Sequence, residues 1–164
     1  MLIHACPCGY FNDPLHECTC TRGNIDRYLG KISNPLLDRI DIHIEVSPVE
    51  YKDLKQETIE ESSDDIRARV EKSRDIQTNR YKNDNIFSNS QISNKNILKY
   101  CKLNDSSEKI MSQAFKKYKF SARTYNKLLK VSRTIADLDG EESIQDKHIL
   151  EAIRYRTLDN KYWG

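Results

Sequence analysis

Two groups of residues in this sequence have the types and spacing for chemistry. The first is a pair of Cys-x-Cys motifs, Cys6-Pro7-Cys8 and Cys18-Thr19-Cys20, separated by nine residues that include His16. Thiolate sulfur is a soft donor, and four such ligands complete the tetrahedral shell of a structural zinc ion. Cys-x-Cys is a tighter bite than the usual Cys-x-x-Cys, so free thiols and a redox pair stay open beside zinc. If zinc binds, four sulfurs leave no position for a catalytic water, and its role is to staple a loop. The second group is arginine: Arg39 in Ser33-Asn34-Pro35-Leu36-Leu37-Asp38-Arg39-Ile40-Asp41, Arg123 in Ser121-Ala122-Arg123-Thr124-Tyr125, and Arg133 ten residues beyond it. A guanidinium is planar and always charged, and it donates in a fork that matches phosphate oxygens. On local pattern alone, Arg39 suits a salt bridge with Asp38 or Asp41 better than an exposed phosphate contact. Arg133 suits either a structural salt bridge or a nucleotide contact.

Other chemistry is excluded by what the sequence does not contain. It has five glycines and no G-x-x-x-x-G-K-[ST] run, so no loop of backbone amides cradles a phosphate. No Asp-Glu pair follows an apolar strand to hold magnesium, and four scattered histidines build no nucleophilic set. This stretch alone should therefore catalyse nothing. His43 falls on the polar side of an alternating segment, and His148 reads as a satisfied surface or boundary histidine. Cys101, at helical spacing beside Leu98, reads as core. Tyr118, Phe120, Tyr125 and Tyr155 read as bundle packing rather than as base-stacking platforms.

The chain has 164 residues, 37% hydrophobic and 32% charged, with 27 basic against 25 acidic side chains and a net charge of +2. That is enough for one ordinary domain or two small ones, and it is polar for a single globule. The balance shows no basic excess of the kind a dedicated nucleic-acid binder carries. Lys116, Lys117 and Lys119 read as a solvated helix end. No apolar stretch approaches the roughly 20 residues that span a bilayer, and the first residues lack a signal-peptide pattern. A cytoplasmic protein with reduced thiols and no membrane partner is the expectation.

The elements that must position these residues follow from periodicity. Turn chemistry fills the first thirty residues, with a helix from about Arg22 on Ile25, Tyr28 and Leu29. Ile40, Ile42, Ile44 and Val46 alternate with Asp41, His43 and Glu45, which reads as a strand with one buried face. Ser62 or Ser63 with Asp64 and Asp65 starts a polar helix to about Tyr81, with Ile66, Val70 and Ile76 as a thin apolar stripe. Lys82 to Ser93 reads as a loop. Four helices follow: a short one on Ile97, Leu98 and Cys101; one on Ile110, Met111, Ala114 and Phe115; one from about Ser121 to Leu138, stopped by Gly140; and one on Ile149, Leu150, Ile153 and Tyr155.

Pro35-Leu36-Leu37-Asp38-Arg39-Ile40-Asp41 resembles the arginine-finger segment of the AAA+ clade that holds magnesium-chelatase ATPase subunits and MCM helicases. Ser121-Ala122-Arg123-Thr124-Tyr125 with Lys130-Val131-Ser132-Arg133-Thr134-Ile135-Ala136-Asp137-Leu138 resembles that clade's sensor-2 helix. Cys6-Pro7-Cys8-Gly9 with Asp13-Pro14 resembles the segment after sensor 1 in the Mg-chelatase-like competence proteins, the ComM family. The resemblance runs through essentially the whole chain. It implies a mainly α fold, namely a four-helix AAA+ lid bundle over 93–164 that carries sensor 2. Before it would come a partial α/β core remnant over 1–48, with one strand and the Cys-rich loop segment, and a linker over 49–92 with its helix at about 63–81.

For function the resemblance implies the C-terminal part of a ring-forming ATPase whose Walker A, Walker B and sensor 1 lie upstream. Arg39 would be the finger acting on ATP in the next subunit, and Arg123, with Arg133 as a further candidate, would sense the nucleotide. ATP and magnesium would belong to the parent protein, whose partners would be identical subunits in a hexameric ring and DNA during recombination or branch migration. His4 stands at the sensor-1 position, so that role is not carried over. A zinc-binding nucleic-acid module and a helical protein-interaction domain are the alternatives, and a magnesium chelatase subunit fits the Cys-Pro-Cys-Gly signature less well.

Overall fold

The computed structural model describes residues 3–46, 48–49, 51 and 61–157. They fall into two compact units, the first within Met1–Thr58 and Thr157–Gly164 and the second within Ile59–Arg156. The chain is mainly helical, as its periodicity predicts.

In the first unit, helix α1 spans Arg22–Leu29 and α2 is the single turn Asn34–Leu37. The Thr21 hydroxyl accepts from the Asn24 N–H at 3.4 Å, which satisfies one of the amides a helix start leaves open. Ile25 and Leu29, one turn apart, turn inward. They pack on buried Cys6 and, around it, Cys8, Phe11, Cys18 and Cys20. This core has cysteine sulfur at its centre.

The strand expected over Ile40–Val46 does not form: the described residues contain helices and turns but no ladder. Strand geometry is stabilised by pairing, and no described segment pairs with this one. Its apolar side stays in water, with Ile42, Ile44 and Val46 at 48, 68 and 77% exposure. Period-two alternation identifies a face that could be covered, not a partner that covers it.

The second unit holds α3 (Ser63–Tyr81), α4 (Ile97–Tyr100), α5 (Asp105–Tyr118), α6 (Ala122–Leu138) and α7 (Asp146–Arg154), with a 3-10 turn at Asn89–Gln91. Its core runs through Tyr81, Ile92, Ile97, Met111, Leu128, Leu129, Ala136, Ile144, Ile149 and Ile153. Cys101 lies in it, where burial pushes its thiol up to about 11. Caps fix the boundaries. Asn104 accepts from the Ser107 N–H at 2.8 Å, and Ser121 from the Thr124 N–H at 3.1 Å. At the end of α6, Gly140 takes φ 72°, with Glu141 N–H on the Ala136 carbonyl at 2.8 Å and Gly140 N–H on Asp137 at 3.2 Å. That is a Schellman closure, which needs a residue at ease with positive φ. Asp146, in the first turn of α7, accepts from the Ser106 and Ser107 hydroxyls at 2.5 Å each, and these bonds hold its carboxyl below the usual range.

Helix α3 begins with a capping box between Ser62 and Asp65. Its inward stripe is not Ile66, Val70 and Ile76. Ile66 and Val70 are exposed, and the buried residues are Ser73, Gln77 and Tyr81. The seam is therefore polar and held by hydrogen bonds. Gln77 accepts from the Asn89 N–H at 3.0 Å, and the Tyr81 hydroxyl donates to Asn89 Oδ1 at 2.6 Å. Asn89 Nδ2 donates to Asp137 Oδ2 at 2.8 Å and to Thr134 Oγ1 at 3.0 Å. Arg80 forks onto both carboxylate oxygens of Asp137. Arg133 also reaches that carboxylate, at 3.1 Å. The side chain of Asp137 is fully buried and accepts from two guanidiniums and an amide.

Replacing Asp137 by Ala should leave buried Arg133 and half-buried Arg80 without their anion. Breaking a buried charge pair from one side costs about 3–5 kcal/mol. Chemical denaturation of Asp137→Ala should show a loss of that size, with a lower midpoint for the second unit.

Candidate functional site

The arginines occupy different settings. Arg39 lies two residues past α2, is exposed, and donates from Nη1 to the Pro35 carbonyl at 2.9 Å. The side chain is thus pinned by one nitrogen to the backbone of the turn before it. Arg123 is the second residue of α6, and it too is exposed. The Ser121 cap takes up the Thr124 N–H, and the helix presents the positive end of its dipole beside the guanidinium. The first turn of α6 is therefore an anion-favouring surface.

Arg133 is different. It is 3% exposed. Its Nε and Nη2 reach Asp137 Oδ1 at 3.1 and 3.0 Å, while Nη1 and Nη2 donate to the carbonyls of Glu142 and Glu141 at 2.8 and 2.6 Å. It clamps the turn after α6 onto the helix. Ten residues of helix also place it about 15 Å along the axis from Arg123. The structure does not bring the two together at one nucleotide, and the donors of Arg133 are occupied within the bundle.

The four cysteines do converge. The sulfurs of Cys6, Cys8, Cys18 and Cys20 all lie within 4.8 Å of one another. Cys6 and Cys8 stand 3.3 Å apart, Cys8 and Cys18 3.6 Å, and Cys6 and Cys18 3.8 Å. The Cys6–Gly9 turn that presents the first pair closes by Gly9 N–H on the Cys6 carbonyl at 3.2 Å, with Gly9 at φ 87°. Thr21, the cap of α1, follows Cys20 directly, so the second pair opens onto a helix. His16 does not join the cluster. It stacks on Tyr10 at 4.8 Å between centroids and pairs with Asp13.

The sulfurs are not equivalent electrostatically. The Tyr10 N–H and then the Cys6 thiol donate to Cys8 and lower it to about 6. Cys18 receives the Cys20 N–H, yet burial and the neighbouring Cys8 and Cys6 thiols outweigh that bond and push it up to about 12. Cys20 also rises, against a bond from the Cys8 N–H, through burial and the same neighbours. The cluster therefore favours a first thiolate at Cys8 and disfavours further ones at Cys18 and Cys20.

Three features carry no sequence signal. Asn89, in the segment read as a loop, is 2% exposed and joins α3 to α6. His148 is fully buried rather than at the surface. Its Nδ1 accepts from the Gln145 N–H at 3.0 Å, which places the proton on Nε2, 3.2 Å from Asp139. Phe115 and Tyr125 meet edge to face across an open groove of about 380 Å³ between α5 and the first turn of α6. Met111 and Ala122 also line it, with Glu108 and Lys116 at its rim.

The fold and the site define a helical bundle whose central helix opens with an exposed arginine, preceded by a cysteine-centred unit. Residues 60–156 match the family described as magnesium chelatase, subunit ChlI C-terminal, and residues 1–54 match magnesium chelatase, subunit ChlI. The chain belongs to this magnesium-chelatase-like AAA+ family. It is 43% identical over 154 residues to the competence protein ComM of Haemophilus influenzae, covering 93% of this chain and 29% of that protein. To YifB of Escherichia coli it is 32% identical over 155 residues, again 93% of this chain and 29% of the relative. An uncharacterized protein of Mycobacterium tuberculosis is 26% identical over 156 residues, 95% of this chain and 30% of its own length. The chain thus spans less than a third of the length of these relatives.

The settings of the two helix arginines make a direct comparison possible. Arg123→Ala, at an exposed site, should change stability by no more than about 0.5 kcal/mol. Arg133→Ala removes charge-assisted bonds to Asp137 and two carbonyls and should cost at least about 2 kcal/mol. Urea titration of both variants measures the difference.

Proposed function

We propose that this chain is the part of a ring-forming ATPase that reads and completes a nucleotide site, with Arg39 as the finger and Arg123 as the sensor. The observation that carries the reading is the setting of Arg123. It is exposed on the first turn of a 17-residue helix whose other end is locked to α3 through Asp137 and Arg80. A γ-phosphate at Arg123 would pull on the start of α6, and the buried carboxylate would pass that displacement to α3 as a rigid movement. The lid then acts as a lever between nucleotide and ring.

Phosphoryl transfer spreads negative charge over the γ-phosphate oxygens, and the protein's task is positioning and electrostatic stabilisation. Arg39 would supply compensating positive charge to ATP bound by the neighbouring subunit. The Pro35 carbonyl holds one of its nitrogens, which limits the side-chain freedom lost when phosphate binds. Arg123 would contribute a second guanidinium together with the helix dipole. ATP and magnesium would be held by the phosphate-binding loop of the longer protein, since this sequence has none. Arg133 has no part in contacting nucleotide in this reading.

The biological setting comes from the relatives. A protein called a competence protein is 43% identical to this chain, which supports a motor acting on DNA during uptake or recombination in the cytoplasm. Identical subunits in a ring would be its partners. Among the described residues no helix is long and apolar enough to cross a membrane.

The test uses the longer protein with its phosphate-binding loop. Arg39→Ala should lower ATP turnover by about 10³-fold or more while nucleotide binding survives. Mixing Arg39→Ala subunits with subunits lacking the phosphate-binding-loop lysine should restore part of the activity, because each then supplies what the other lacks. Unchanged turnover in Arg39→Ala would remove the finger assignment, and no recovery on mixing would remove its action across the interface.

A further inference from the structure

We propose that Cys6, Cys8, Cys18 and Cys20 bind one zinc ion, and that this ion is the organising core of the first unit. The inference is independent of the ATPase reading, because it rests on sulfur geometry and on the groups around the sulfurs.

The geometry comes first. Zinc–thiolate bonds are about 2.3 Å long, so sulfurs at the corners of a tetrahedron around zinc stand about 3.8 Å apart. The separations of 3.3, 3.6 and 3.8 Å among Cys6, Cys8 and Cys18 lie close to that edge. They are far from the roughly 2.05 Å of a disulfide. All four cysteines are free thiols. Four sulfurs, one pair on a turn and the other on the stretch leading into α1, form a cage of one donor type. A d¹⁰ cation with no geometric demand of its own and affinity for soft ligands fits such a cage.

The groups around the sulfurs fit as well. Backbone N–H groups of Tyr10, Cys20 and Cys8 point at the sulfurs of Cys8, Cys18 and Cys20. Metal thiolates carry excess negative charge, and N–H donors to sulfur orient the ligands and spread that charge. On binding, every sulfur still protonated gives its S–H proton to solvent as its Zn–S bond forms, so the site takes up two positive charges from zinc and ends as four thiolates.

Energetics gives the reason for the metal. Among the described residues, the buried cluster of the first unit is Cys6, Ile25 and Leu29, with Phe11 and the other cysteines around it. A cation held by all four sulfurs adds its binding free energy to this sulfur-centred cluster. Zinc would fix the Cys6–Gly9 turn against Cys18–Cys20, and Cys20 hands directly to the Thr21 cap of α1. The ion would thereby set where α1 starts.

The test uses the whole chain, purified without chelator. Elemental analysis should find one zinc per chain. Cys6→Ser/Cys18→Ser should lose it, while Cys101→Ala, whose thiol lies in the other core, should keep it. Cobalt exchanged into the site should give the absorption bands of tetrahedral cobalt thiolate. Removing zinc with a chelator should abolish amide-exchange protection over residues 6–29 and leave that of residues 122–138 unchanged, which separates loss of metal from failure to fold. Metal-free protein with residues 6–29 still protected would overturn the inference. So would zinc retained by the double variant, or iron as the native metal.

Discussion

The second unit depends on the carboxylate of Asp137. Buried charges are tolerated only when paired and fully hydrogen-bonded, and this one accepts from Arg80, Arg133 and Asn89. Two guanidiniums on one carboxylate leave an excess positive charge in the interior. Carbonyl oxygens absorb part of it, since Arg133 also donates to Glu141 and Glu142. The direction of each bond matters for mechanics. Arg80 comes from α3, Arg133 from α6 itself and Asn89 from the 3-10 turn, so one side chain ties three segments. Hydrophobic contacts would let helices slide past one another by small amounts. A forked salt bridge does not, because its geometry is lost within about an ångström.

That constraint explains why α3 can be so polar. Every residue from 61 to 72 is exposed, and of the helix's aliphatic residues only Ile76 is even partly buried. A helix without an apolar stripe has little reason to dock. Here Ser73, Gln77 and Tyr81, spaced by one turn, present polar atoms to Asn89 and each other, and Arg80 adds the charge. The seam is specific rather than greasy. A single register satisfies all of its donors, and a shift of one residue would strand several of them.

The legible and illegible parts of the sequence divide along the same line. Helices α5, α6 and α7 were readable because apolar residues recur at helical spacing and because Asn104, Ser121 and Gly140 punctuate their ends. The four cysteines could be singled out as a group by their paired spacing, although that spacing left zinc, free thiols and a redox pair open, and the structure brings their sulfurs together. Asn89 was not, since a buried amide in a loop has no periodicity and its partners lie 8 to 48 residues away. Ser73 and Gln77 look like surface residues in any window, and only the hydrogen bonds they meet distinguish them. His148 looked like a boundary residue because its two partners, Gln145 and Asp139, are ordinary polar residues. The segment from Ile40 to Val46 misleads in the opposite sense, since its pattern is strong and its partner is not among the described residues. For the arginines, sequence supplied identity and order. Burial separated them, with Arg133 drawn inside while Arg39 and Arg123 remain at the surface.

The two units are therefore stabilised by different physics, and the difference bears on what each can do. The second has a continuous apolar core and a buried ionic clasp, which suits the proposed transmission of a displacement from Arg123. The first has sulfur where the second has leucine and isoleucine. Such a unit holds its shape only as long as the donors at its centre are satisfied. Arg39 sits in that unit, two residues after a helix of one turn whose Leu37 is buried. The finger role proposed for Arg39 would require a rigid base, because a guanidinium–phosphate contact is lost within about an ångström. In the second unit packing provides that rigidity, and in the first the four converging sulfurs are the arrangement best suited to provide it.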